Sequence, residues 1–87
     1  MNTFEDVDSA LIGQKDQLLN QINDSRRLLD FDDVVAANII IQECKIQLDF
    51  VRPMWEILSY GYKVDEVSDR IRILEDEILQ QMVFLKQ

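Results

Sequence analysis

The sequence predicts an all-α fold: one domain over residues 1–87, a helical hairpin plus a third helix, each helix antiparallel to the next. Three observations carry this expectation. Val34, Ala37, Ile41, Cys44, Leu48, Val51, Trp55, Leu58 and Tyr62 recur in steps of three and four, the period of a buried helix face. Only Gly13, Gly61 and Pro53 punctuate the chain, too few for the many turns of an all-β domain. Apolar residues make up 47% of it, too many for a disordered acidic segment.

The middle helix, expected over about 32–60, organises the rest. A second apolar line, Val35, Ile39, Ile46, Phe50 and Ile57, lies roughly opposite the first at about 100° per residue. A helix apolar on two opposed faces needs cover on both. Pro53 falls inside this helix, but the main line stays in phase from Val51 through Trp55 to Leu58, so a kink at Pro53 is expected rather than a break. Gly61 reads as its C-cap.

Helix 1 is expected over about 5–29. Phe4, Val7, Leu11, Leu18, Ile22 and Leu29 share one line, which Lys15 and Ser25 interrupt and Gly13 weakens. The apolar line then slips by five residues from Leu29 to Val34, a step no straight helix face accommodates. Aspartates cluster at the slip, where a helix start wants acceptors and negative charge. A turn is therefore expected at 30–32, with Asp32 as N-cap and Phe31 against Ala36 as a hydrophobic staple. Helix 3 is expected over about 64–86 on Val64, Val67, Ile71, Leu74, Ile78, Met82 and Leu85, with Glu66–Arg70 and Asp69–Arg72 as surface pairs.

The chemistry of the chain excludes more than it proposes. There is no histidine, which removes the commonest general base and metal ligand near neutral pH. The single cysteine, Cys44, lies on the buried line and reads as a small hydrophobe rather than a nucleophile. Asp30, Asp32 and Asp33 resemble the opening of a calcium loop, but no glycine or twelfth-position glutamate follows. No enzymatic activity, metal or cofactor is expected. A net charge of −8 disfavours direct binding to nucleic acid or an anionic membrane. The longest uncharged stretch, Val34 to Gln42, is about half the length of a membrane span. The acidic opening MNTFEDVD lacks the bases and apolar run of a secretory leader, so a cytoplasmic protein is expected.

What remains is recognition. Phe50, Met54, Trp55, Ile57 and Tyr60 crowd the end of helix 2, and Met82 and Phe84 lie in an apolar run that one helix cannot bury on one face. These seven residues are the candidate interface with a protein partner or a second copy. The expected function is a non-enzymatic, self-associating helical interaction module of coiled-coil character, acting as adaptor, chaperone or assembly factor. The alternative is a small acidic inhibitor, of immunity or viral counter-defence type, that blocks a basic enzyme surface. Residues 1–33 carry eight acids against three bases. Glu5, Asp6, Asp8, Asp24, Asp30, Asp32 and Asp33 would carry that docking. An oligomer enclosing a small ligand is a third, weaker alternative with no motif behind it.

Overall fold

The computed structural model describes the backbone of residues 3–58 and 60–86 and the side chains of 9–58 and 60–84. Three helices make up the fold: α1 over Thr3–Asp30, α2 over Val34–Ile57 and α3 over Gly61–Lys86. The expected three-helix architecture is present, with α2 packed on both of the others. Its middle helix is shorter than expected and its outer two are longer.

The first turn is a compact double cap. The Asp33 amide donates to the Leu28 carbonyl and the Asp32 amide to the Leu29 carbonyl, each at 2.9 Å. That pair of bonds is a Schellman motif, which needs a left-handed residue at its apex. Asp32 supplies it with φ of 63°, since a short polar side chain tolerates this region better than most. Asp33 then caps α2, its carboxylate accepting from the Ala36 amide at 3.2 Å. The N-cap is therefore Asp33, one residue beyond the expected Asp32, and Phe31 is exposed in the turn rather than stapled to Ala36.

The second turn corrects another expectation. Gly61 opens α3 instead of capping α2, and it has no positive φ, so it makes no left-handed cap. The Tyr60 amide closes the end of α2 on the Trp55 carbonyl at 2.7 Å. Pro53 sits within α2, which continues through it; a kink there is not shown. Pro53 is exposed, so water can reach the Asp49 carbonyl that its missing amide leaves free.

Most of the core is the lines read from the sequence, but Tyr62 lies in α3 and is exposed, Val51, Leu58 and Met82 are only partly buried, and the side chains of Phe4, Val7 and Leu85 lie outside the described residues. Leu11, Leu18, Ile22 and Leu29 of α1 and Val64, Val67, Ile71, Leu74 and Ile78 of α3 close on Val34, Ala37, Ile41, Cys44, Leu48 and Trp55 of α2. The two breaks in the α1 line have partners. Ser25 is fully buried and donates to the Ala37 carbonyl at 2.7 Å, so two small residues let α1 and α2 approach closely. Lys15 reaches Glu66 of α3 at 2.7 Å, and Arg26 pairs with Glu77. These two α1–α3 pairs lie eleven residues apart on both helices, about three turns. They mark α1 and α3 as parallel, each antiparallel to α2. Partly exposed pairs of this kind contribute roughly 0–1 kcal/mol each, so their weight is in the register.

The molecule extends 58 × 18 × 15 Å, longer than the roughly 42 Å of its longest helix at 1.5 Å per residue. The helices are offset. Gln81 donates to Asp32 in the first turn at 2.8 Å, so the chain after Gln81 runs on past that turn. Val83 and Phe84 are exposed for this reason.

Candidate functional site

Packing covers one face of α2 and leaves the other open. Val35, Ile39, Ile46, Phe50 and Ile57 are all exposed, Phe50 by 86% and Ile57 by 82%. They form one stripe of about 33 Å at 1.5 Å per residue. Met54 widens it toward the second turn. Opposite this stripe, Ile41 and Cys44 are completely enclosed. Isolated exposed apolar residues are ordinary on a protein surface; five along one helix face, interrupted by Gln42 and Glu43 between Ile39 and Ile46, make this face the candidate site.

The edges of the stripe differ. Along α3, Gln42 donates to Glu75 at 2.6 Å and Lys45 reaches both oxygens of the same carboxylate at 3.0 and 3.3 Å. Those donors, Gln42 first, hold the Glu75 carboxyl below its ordinary 4.5. Along α1, Gln14, Gln17, Leu18, Ile46, Gln47, Phe50 and Val51 line an open groove of about 300 Å³. The stripe is thus bordered by an ordered polar network on one side and an apolar, glutamine-edged trough on the other.

The seven candidate interface residues separate in the structure. Phe50, Met54, Ile57 and Phe84 are exposed. Tyr60 and Met82 pack partly buried against the core. Trp55 is only 1% exposed and belongs to the core, so the folded chain does not present it to a partner. Lys63 places its ammonium 4.3 Å from the Tyr60 ring centre and 5.9 Å from that of Tyr62. Among the described residues the Trp55 indole nitrogen is buried with no hydrogen-bond acceptor.

Of the four acidic candidates whose side chains are described, Asp24, Asp32 and Asp33 are engaged within the chain. Asp33 caps α2 and Asp32 accepts from Gln81. Asp24 lies 3.8 Å from Arg27, and Asp30 is exposed beside Arg26. The side chains of Glu5, Asp6 and Asp8 lie outside the described residues. Glu66 pairs with Lys15 rather than with Arg70, while Asp69 and Arg72 meet at 3.5 Å as expected. Glu75 and Glu77 of α3 are tied to Lys45 of α2 and Arg26 of α1.

Among the described residues no three of His, Cys, Asp and Glu come together as a metal cluster, and no helix is long and apolar enough to cross a membrane. Burial, with Glu43 adding to it, pushes the Cys44 thiol up to about 11, and the thiol donates to the Gln21 side-chain oxygen Oε1 at 3.5 Å. A protonated, enclosed thiol is a poor nucleophile. No family model matches the chain, and no curated protein or solved structure matches it either.

Proposed function

We propose that this chain is a non-enzymatic helical interaction module that self-associates through the outer face of α2 and serves as an adaptor, chaperone or assembly factor. The observation that carries this reading is the set of exposed apolar residues Val35, Ile39, Ile46, Phe50 and Ile57 along the face opposite the core, with Gln42 and Glu43 the polar side chains between Ile39 and Ile46. Leaving such a line in water forgoes roughly 25 cal/mol for every Å² that a partner surface could cover. Symmetric pairing is the commonest way for one surface to find cover, because each copy supplies the other's partner. The absence of histidine and the enclosure of Cys44 support a non-enzymatic role. A cytoplasmic setting belongs to the same proposal, since the lone thiol needs no oxidising compartment.

Light scattering coupled to size exclusion, at low and high salt, tests this. The expected mass is a multiple of the 10.3 kDa chain at both salts, because apolar contacts resist screening. Phe50→Asp, at an exposed position, should return a folded monomer. A wild-type monomer at high concentration, or a Phe50→Asp variant that assembles unchanged, would sink the proposal.

A further inference from the structure

We infer that the occupant of the outer face of α2 is the same face of a second copy, laid antiparallel with Ile46 on the twofold axis. This pairing rests on the self-association proposed above and adds a direction and a register to it.

Spacing is the first reason. Val35 and Ile57 each lie eleven residues from Ile46, and Ile39 and Pro53 each lie seven. Eleven and seven residues are close to three and two full turns, so these positions return to one face of the helix. Reversal about Ile46 sets Val35 level with Ile57 of the second copy, Ile39 with Pro53 and Gln42 with Phe50. Reversal thus sets apolar on apolar at three of these four levels, Ile46 with itself included, and leaves Phe50 level with Gln42.

Charge is the second reason. Lys45 and Asp49 stand one turn apart on the edge of the stripe that borders α3, on either side of Ile46. A twofold axis brings like edge against like edge, so each Lys45 lies within about 3 Å, along the axis, of Asp49 on the other copy. Parallel pairing would instead set Asp49, Glu43 and Glu56 each level with itself. Two chains of net charge −8 already repel; the antiparallel direction sets each Lys45 as near the other copy's Asp49 as its Lys45 and holds the two Asp49, like the two Glu43, about 9 Å apart along the axis, where the parallel one sets each acid level with itself.

Disulfide trapping tests the register. Helix axes packed about 8–10 Å apart, with Cα atoms about 2.3 Å from each axis, bring the two Ile46 Cα atoms to roughly 3.4–5.4 Å, a range whose upper part lies within disulfide reach. Phe50 Cα atoms would stand about 12 Å apart along the axis, outside it. Single cysteines at Ile46, Phe50 or Gln42 would be oxidised in a Cys44→Ala background and read on non-reducing gels. Light scattering on the reduced proteins and circular dichroism accompany them. Should Cys44→Ala fail to fold, the same series keeps Cys44, whose thiol is enclosed.

Ile46→Cys should form dimers at least about tenfold faster than Phe50→Cys, and mixed Gln42→Cys and Phe50→Cys chains should join faster than either alone. If Phe50→Cys joins to itself as fast as Ile46→Cys while the mixture gains nothing, pairing is parallel; the register falls and self-association stands. A dimer by light scattering that none of these cysteines traps places the interface elsewhere and also overturns the register. A monomer throughout overturns register and self-association together.

Discussion

Ile41 and Ile46 lie five residues apart in α2 and share a side chain, yet one is completely enclosed and the other 71% exposed. Replacing each with alanine isolates the effect of the face. Ile→Ala removes three carbons. At about 0.8 kcal/mol per buried carbon the Ile41 change loses roughly 2.4 kcal/mol by transfer alone, and the cavity brings the total to about 2–5 kcal/mol. Ile46 is less than one third buried, so its transfer loss is about 0.7 kcal/mol at most. The better helix propensity of alanine returns a few tenths of that. The predicted gap between the variants is therefore about 2 kcal/mol or more in the monomer. Urea melts at micromolar and sub-micromolar chain read it from midpoints at constant slope. Dilute Ile46→Ala should melt near wild type. At higher concentration it should fall behind, because assembly stabilises by mass action. Equal losses at the two positions in dilute solution would refute the assignment of core and outer face.

Three further predictions concern the turn, the thiol and the acid side. Asp33→Ala removes the carboxylate that accepts from the Ala36 amide and should lower stability by about 1 kcal/mol, with Asp33→Asn or Asp33→Ser closer to wild type; equal denaturation midpoints for all four would place the cap elsewhere. Cys44 should react with a thiol reagent at pH 8 only as the chain opens, the rate rising steeply with urea, because burial keeps the thiol protonated up to about 11; immediate reaction in the native buffer would contradict its enclosure. Glu75 is held below its ordinary 4.5 by Gln42 and Lys45, so its stabilising share is present above that value and lost as pH falls through the lower folded value. Glu75→Gln should therefore lose less stability than wild type as pH falls from 5 to 3, and parallel acid titrations of the two would show the carboxylate is not engaged.

The parts of this fold legible in the sequence are those set by period. Two apolar lines through the same helix locate both the core and the open stripe, because the side chains of α2 cannot leave their phase of about 100° per residue. Trp55 illustrates the limit of clustering by position. It neighbours Phe50 and Ile57 in sequence, but it lies on the other line, and the phase decides that it is core. Turn chemistry was less legible. Asp30, Asp32 and Asp33 are chemically equivalent as caps, and only the backbone bonds of the Schellman turn select Asp33. Gly61 suggests a C-cap by composition, yet it has no positive φ and opens α3 instead. Lys15, Ser25, Glu75 and Glu77 find partners on other helices, and pairings across that distance have no local signature.

The most direct measurement of the open stripe is hydroxyl-radical footprinting of Phe50 across a concentration series. Phe31 is the internal control: it is exposed in the first turn beside Arg27 and Leu28 of α1, off the outer face of α2. With assembly through that face, Phe50 should be as reactive as Phe31 in dilute solution and become protected as concentration rises, while Phe31 stays reactive. Phe50 that remains as reactive as Phe31 at every concentration would contradict the assignment of this face as the interface.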